Sequence, residues 1–560
     1  MNTMISGAEA LMRVFQEEGV EVIFGYPGGA LLPVYDALYH TDFRHVLVRQ
    51  EQAAVHAASG YTRTTGKPGV CLATSGPGAT NLVTGIATAY MDSVPVVVVT
   101  GQVGTGMVGT DAFQEVDTKG ITLPITKHNY LVKNPQELPR VIREAFYIAR
   151  TGRPGPVVVD LPRNVAEAQI EWHGAGKVEL RSYHPQYQPA PDLVDQAAEM
   201  LNKAERPVIL AGGGVLSTRA PEDLVALAEK IRTPVTTTLM GIGAFPEDHE
   251  LALGMLGMHG TACANYAVTA ADVLLTLGAR FADRVTGNVK KFAPHAKIIH
   301  VDIDPAEIGK NVRAALPVIG DVKHFLRDLL PLVQKKDRRG WLSQIAKWKV
   351  EHPLRFSEDG CLKPQYILQA LGEITKGECI VATDVGQHQM WAAQFFKIRK
   401  PYTFLSSGGL GTMGYGLPAA LGAQLGNPGK LVLSLTGDGS FQMNMFELGT
   451  AMQEQLPLKI FVFNNHALGM VKQLQYFYCE KRYSQVKFTF CPDFVQLARA
   501  YGAVGIRLER SEDVYAILDE VLTNGRLTIV DCIIDPEELV YPMVLAGKGI
   551  GELIELSDAR

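Results

Sequence analysis

The chain lacks the features that would place it in a membrane or outside the cell. No apolar run approaches the roughly 20 residues that a membrane-spanning helix needs; the most apolar stretch, Val94–Thr100, has the length of a buried strand. Cysteine is sparse. The seven cysteines (Cys71, Cys263, Cys361, Cys379, Cys479, Cys491 and Cys532) form no C-x-x-C spacing, and an odd, scattered set fits a reduced protein without a disulfide framework. The net charge of −5 speaks against nucleic acid or a membrane surface as partner. An amphipathic helix is expected from Ala8 to Glu18 in place of a secretory leader. Together these absences lead to the expectation of a cytoplasmic globular protein.

What the chain does have is length and alternation. At 560 residues it exceeds what one core holds, so about two to four domains are expected. Apolar strands at Glu21–Phe24, Gly69–Ala73, Pro95–Val99 and Pro156–Asp160 alternate with helical patterns. Near-continuous apolar strands separated by helices predict doubly wound parallel sheets covered on both faces. The pattern predicts an α/β protein with three such domains, 1–165, 191–333 and 361–560. Between them, 166–191 is polar and proline-bearing and reads as a linker. The second connection, 334–360, is charged, holds two of the four tryptophans and reads as a helical linker. Whether the first and third blocks are distant copies is left open by a single sequence.

The stretch Leu431–Asn465 organises the rest. Leu431–Leu435 is an apolar run ending in Thr436-Gly437-Asp438-Gly439, a strand followed by a tight turn. Ser440 is placed to cap a helix, and Phe441, Met445, Leu448 and Met452 follow at helical spacing. Pro457 stops that pattern, and a second strand, Leu458–Phe463, ends at Asn464-Asn465. Strand, helix and strand make a right-handed βαβ unit, so Asp438 and Asn465 come to neighbouring strand ends on one side of the sheet. A carboxylate and a carboxamide there are hard oxygen ligands suited to Mg²⁺ or Ca²⁺. The glycines and the helix start suit a phosphate. For Gly-Asp-Gly alone the plain reading is a helix cap; the paired asparagines favour the metal.

Gly-Asp-Gly-Ser followed at this distance by Asn-Asn resembles the diphosphate–metal motif of thiamine-diphosphate enzymes. Over nearly the whole chain the sequence is similar to the catalytic large subunits of the acetolactate (acetohydroxyacid) synthase family. The resemblance implies an N-terminal domain for the pyrimidine half of thiamine diphosphate, a central Rossmann-like FAD domain, and a C-terminal domain for the diphosphate and Mg²⁺. Asp438, Asn465 and the carbonyl of Ala467 would hold Mg²⁺, within a motif that includes Gly437, Gly439 and Ser440. Gly386, Gln387 and His388 would meet the diphosphate. Gly411 and Met413 lie in the loop that resembles the one under the thiazolium; Met413 would force the cofactor into its bent shape, although a methionine is more often core filler. Met470 would line the acceptor pocket.

On the N-terminal side, the resemblance places Tyr26, Pro27, Gly28 and Gly29 in a cofactor loop, and Pro77 and Asn81 beside the pyrimidine ring. Glu51, which alone reads as a helix-capping residue, would contact N1′ of the aminopyrimidine and move the proton that lets the 4′-imino group deprotonate C2. Phe113 and Gln114 would face the reacting carbon, with Gln114 donating to a developing oxyanion or enolate. Gly212, Gly213 and Gly214 follow a strand without a strict G-x-G-x-x-G, and alone read as a tight turn. By resemblance they open the FAD site, which continues through Thr238 and Leu239. Gly257, Met258 and His259, then Gly278 and Arg280, supply its next segments. Asp302, Ile303, Asp321 and Val322 complete it. The flavin would be extended and do no net redox work. Arg284 would bind the carboxylate of the second 2-oxo acid; its plainer reading is a flavin or interface salt bridge.

The implied reaction decarboxylates pyruvate on thiamine diphosphate. It passes the hydroxyethyl unit to pyruvate or 2-oxobutyrate, on the path to branched-chain amino acids. The implied assembly is a homodimer or homotetramer taking Glu51 from one subunit and Asp438 with Asn465 from the other; a small regulatory subunit is left open. Pyruvate oxidase, sulfoacetaldehyde acetyltransferase and a catalytically silent cofactor-binding subunit remain as alternatives. Glyoxylate carboligase lacks the catalytic glutamate. Three positions depart from the family pattern: Leu474 where a tryptophan is usual, Gly104 where proline is common and Met240 where glutamine is common. Leu474 implies a weak preference for 2-oxobutyrate.

Overall fold

The computed structural model describes residues 3–357 and 359–559. Three six-stranded, all-parallel sheets carry the chain. Numbering strands within each sheet, the first and third share the order 2-1-3-4-6-5, whereas the middle sheet runs 3-2-1-4-5-6. The central strands Gly69–Ala73, Val96–Gln102, Pro207–Ala211 and Val432–Gly437 are buried at every position. That explains their unbroken apolar runs, since helices cover both faces.

In a parallel sheet all carboxyl ends face one side, and ligands collect where the strand order reverses. In the first and third sheets that place lies between strands 1 and 3; in the middle sheet it lies between strands 1 and 4. The loops after Tyr26 and Ala73, after Thr383 and Gly437, and after Ala211 and Leu277 leave the strands at these points, whereas Glu51 follows strand 2 of the first sheet and Asn465 strand 4 of the third.

The first and third blocks share one hydrophobic core. Its centre is the crossing of helix Glu51–Thr65 with helix Gly416–Gly426, both buried along nearly their whole length. Small residues allow the close approach. A Cβ on Gly60 would lie 2.0 Å from the Ala419 carbonyl, and one on Gly422 would lie 1.8 Å from that of Ala57. The linker helix Arg339–Glu351 forms as expected.

Three local expectations need correction. The stretch read as a linker after residue 166 contains a strand, Gln169–Trp172, paired antiparallel with Thr3–Ser6; its polar–apolar alternation was its only signal. Ser440 is not a cap. The helix starts one strand end earlier, spans Asp438–Phe441 with Gly437 at its N-cap, and Ser440 Oγ donates to the Val385 carbonyl at 2.9 Å. The helix then breaks at Asn444, whose backbone leaves the helical region (φ −137°) and whose side chain donates to the Gly414 carbonyl at 2.6 Å. A turn Met445–Glu447 and a second helix Leu448–Gln453 follow, so the apolar spacing of Phe441 to Met452 spans two pieces.

Candidate active site

Strands Val432–Gly437 and Lys459–Asn464 pair in parallel with Gly437 opposite Phe463. Asp438 and Asn465 therefore follow neighbouring strand ends, and with Ala467 they line a small cavity of about 50 Å³. Gly437, Gly439, Ser440, Gln387, His388, Met413 and Met470 are also among its lining residues. Asp438 is 1% exposed, and burial pushes its carboxyl up to about 7. Oδ1 accepts from Gly439 N at 2.9 Å, while Oδ2 is buried with no hydrogen-bond partner among the described residues. An orphaned carboxylate oxygen is costly in a dry site, and a hard cation resolves it. Asn465 accepts from Ala467 N at 3.1 Å and donates to Gln387 at 3.3 Å.

The wall also suits a phosphate. Burial holds the His388 ring neutral, down at about 3, and its Nε2 is likewise buried and unpartnered. Gly386 adopts a left-handed φ of 156°, and a Cβ there would meet the His388 ring at 2.8 Å, so only glycine lets the loop close over that ring.

The second half-site lies at the carboxyl ends of the first sheet. Glu51 is buried at the first position of its helix, and its Oε2 accepts from Asn81 Nδ2 at 2.9 Å. The surrounding loops are packed by glycine. A Cβ on Gly28 would strike Thr74 at 2.4 Å, one on Gly76 would strike the Gln114 backbone at 2.8 Å, and one on Gly78 would lie 3.4 Å from Glu51 Oε1. The loops of Tyr26–Gly29, Pro77–Asn81 and Phe113-Gln114 are thus drawn together around Glu51. Gln114 is held in the left-handed region at φ 59°, and Phe113 is 87% exposed. Neither Glu51, Phe113 nor Gln114 lines the Asp438 cavity.

The middle sheet opens a cavity of about 740 Å³, within the range of ligand pockets. Gly213, Gly214, Gly278 and Arg280 line it at the ends of strands 1 and 4. Thr238, Leu239, Met258 and His259 line it further along, as do Asp302, Ile303, Asp321 and Val322. Gly212 and Gly257 do not reach it; they permit close backbone packing, since a Cβ would lie 2.1 Å from the Gly278 carbonyl and 2.3 Å from the Arg284 carbonyl, respectively. Burial raises Asp302 to about 6 and lowers His259 to about 4. The cavity runs on to Gly411, Met470 and Leu474 of the third block, and Arg284 stands at its wall. Arg284 is exposed and pairs with Asp283 at 2.9 Å. Met470 borders both cavities. An elongated, glycine-walled cavity at a sheet's switch point fits a dinucleotide such as FAD.

Sequence reading missed Asp92 and Arg153, which also line the large cavity. Asp92 Oδ1 accepts from Gly409 N at 2.7 Å and its Oδ2 is shielded without a partner. Arg153 pairs with Asp304 at 3.1 Å and Glu307 at 2.7 Å. Their partners lie in other blocks, so no local motif announced them.

Residues 5–121 match the N-terminal TPP binding domain of thiamine pyrophosphate enzymes, residues 194–329 the central domain, and residues 384–532 the C-terminal TPP binding domain. The chain is 50% identical to the "Probable acetolactate synthase large subunit" of Methanocaldococcus jannaschii, over 98% of this chain and 95% of the relative. It is 48% identical to the acetolactate synthase large subunit of Cyanidium caldarium, over 99% and 98% of the two chains. With the acetolactate synthase of Mycobacterium bovis the identity is 49%, over 98% and 91%. The chain belongs to the acetolactate synthase family of thiamine pyrophosphate enzymes. The Glu51 loops fall within the segment matching the N-terminal TPP binding domain, and Asp438 and Asn465 within the segment matching the C-terminal one.

Proposed function

We propose that the chain is the catalytic subunit of an acetolactate synthase, decarboxylating pyruvate and joining the two-carbon unit to a second 2-oxo acid. The observation that carries this reading is the pairing of two half-sites: a buried Glu51 at a helix start and an orphaned Asp438 beside Asn465. Thiamine diphosphate, when bound, supplies the electron sink for decarboxylation. Glu51 holds and returns the proton at N1′ of the aminopyrimidine. Asp438, Asn465 and the Ala467 carbonyl would take Mg²⁺, with His388 and Gln387 turned to the diphosphate. Gln114 donates to negative charge developing on the substrate oxygen.

The large cavity is the proposed place of FAD. Arg284 at its wall is exposed enough to recognise the carboxylate of the acceptor acid, and Leu474 and Met470 give the acceptor an apolar wall. Because Glu51, Phe113 and Gln114 line neither cavity and Phe113 stands out into solvent, the reading includes a second copy of the chain: Glu51 of one subunit serves the Asp438 cavity of the other. A cytoplasmic location belongs to the same reading, which leaves a small regulatory subunit open.

The test is aerobic incubation of the purified protein with pyruvate, thiamine diphosphate, Mg²⁺ and FAD in phosphate buffer. Acetolactate and carbon dioxide, with the flavin staying oxidised, are expected. Acetyl phosphate and peroxide with a reduced flavin would move the assignment to an oxidase.

A further inference from the structure

Glu447 lies in the turn that follows the Asp438 helix, and its side chain is fully buried. Its Oε1 accepts from the backbone N–H groups of Arg49 at 2.8 Å and Gln50 at 3.1 Å. Its Oε2 accepts from Thr450 Oγ1 at 2.6 Å. Arg49 and Gln50 are the two residues immediately before Glu51. They join strand Arg44–Leu47 to the catalytic helix, and that strand is the edge of the first sheet, with no neighbour on its outer side. The third block takes the neighbour's place. Besides Glu447, Glu454 pairs with Arg44 at 2.8 Å, and Gln453 accepts from Arg49 Nη2 at 2.9 Å.

We infer that Glu447 is a positioning residue for proton transfer by Glu51: it fixes the strand-to-helix junction from which the Glu51 carboxylate is aimed. The inference rests on the proposed role of Glu51. In the two-copy assembly the tie has a further consequence. The turn that follows the chain's own Asp438 helix is tied to the junction carrying the Glu51 that serves the other subunit's cofactor, so the two active sites of a dimer are mechanically joined through each chain.

A merely structural anchor would change stability but not the proton-transfer step. That step is read directly by hydrogen–deuterium exchange at C2 of thiamine diphosphate bound to the Mg²⁺ holoenzyme, quenched and followed by NMR. Glu447→Ala is expected to slow exchange on the order of 10²-fold, as small displacements of a catalytic group do, while cofactor affinity by calorimetry stays within about twofold. Glu447→Gln keeps an acceptor oxygen for the two N–H groups and is expected to restore most of the rate. Glu51→Gln is measured alongside. Slow exchange in Glu51→Gln but wild-type exchange in Glu447→Ala overturns the inference. Wild-type exchange in Glu51→Gln overturns the reading of Glu51, and this inference with it. Should Glu447→Ala fail to fold, Thr450→Val, which frees one carboxylate oxygen, decides: several-fold slowing supports the inference and none overturns it.

Discussion

At Asp438 a buried carboxylate oxygen has no hydrogen-bond partner among the described residues, and on the proposed reading a cation supplies one. With that oxygen unpartnered, Asp438 costs on the order of 1–3 kcal/mol until a cation arrives. Asp438→Ala should therefore abolish Mg²⁺-dependent retention of thiamine diphosphate while leaving the melting temperature of the cofactor-free protein unchanged or higher. Unaltered cofactor affinity by titration calorimetry would count against the metal role. Leu474 makes a separate prediction. It lines the large cavity beside Met470, and a methylene in an apolar pocket is worth about 1–3 kcal/mol of discrimination. An indole in its place would offer a broad flat wall, so Leu474→Trp should raise the share of acetohydroxybutyrate when equal pyruvate and 2-oxobutyrate compete. A strong 2-oxobutyrate preference in the unmodified enzyme would show that Leu474 is not the specificity wall. At this scale the sequence was readable where chemistry is written locally. The Gly-Asp-Gly motif and Asn465 each directly follow their own strand, but Glu447, Asp92 and Arg153 act on residues of another block, and no spacing rule reaches that far.

Among the elements, the crossing of helices Glu51–Thr65 and Gly416–Gly426 sets where Glu51 stands. Glycine to alanine inside a helix ordinarily stabilises by about 1 kcal/mol. At Gly422 the sign should reverse, because the new Cβ would lie 1.8 Å from the Ala57 carbonyl, and overpacking costs about 1–3 kcal/mol. Denaturant titration checks the sign. The first sheet carries a pH signature as well. Asp160, 1% exposed, accepts from Thr100 Oγ1 at 2.7 Å and Gln102 Nε2 at 2.9 Å, yet burial raises it to about 7. Its folded pKa exceeds the unfolded value, so the folded state holds the extra proton between about pH 4 and 7, and stability falls as pH rises through that window. Asp160→Asn should flatten the decline in melting temperature between pH 5 and 8; an unchanged slope would assign the decline to other groups. Strands such as Gly69–Ala73 were legible because burial on both faces leaves an unbroken apolar run. The Gln169–Trp172 strand was not, because four residues pairing with the chain's start carry too short an alternation. The break at Asn444 was hidden because apolar residues on both sides keep a helical spacing.

For the whole molecule, the shared strand order of the first and third sheets gives each chain two similar frames, with Glu51 at the carboxyl side of one and Asp438 and Asn465 at that of the other. Three blocks and their order could be read from alternating strands and helices; the identity of the two topologies could not, since strand order is written in long-range pairings. The central claim is that a working acetolactate synthase site takes Glu51 from one chain and Asp438 from another. Co-expression of Glu51→Gln and Asp438→Ala chains under different tags, with purification through both, isolates the mixed assembly. Each parent variant alone should be nearly inactive. The mixed assembly should regain acetolactate formation, at about half the wild-type rate for a symmetric dimer, since one of its two sites then draws an intact Glu51 and an intact Asp438. A mixed assembly as inactive as its parents would contradict the account and place both residues of each site in a single chain.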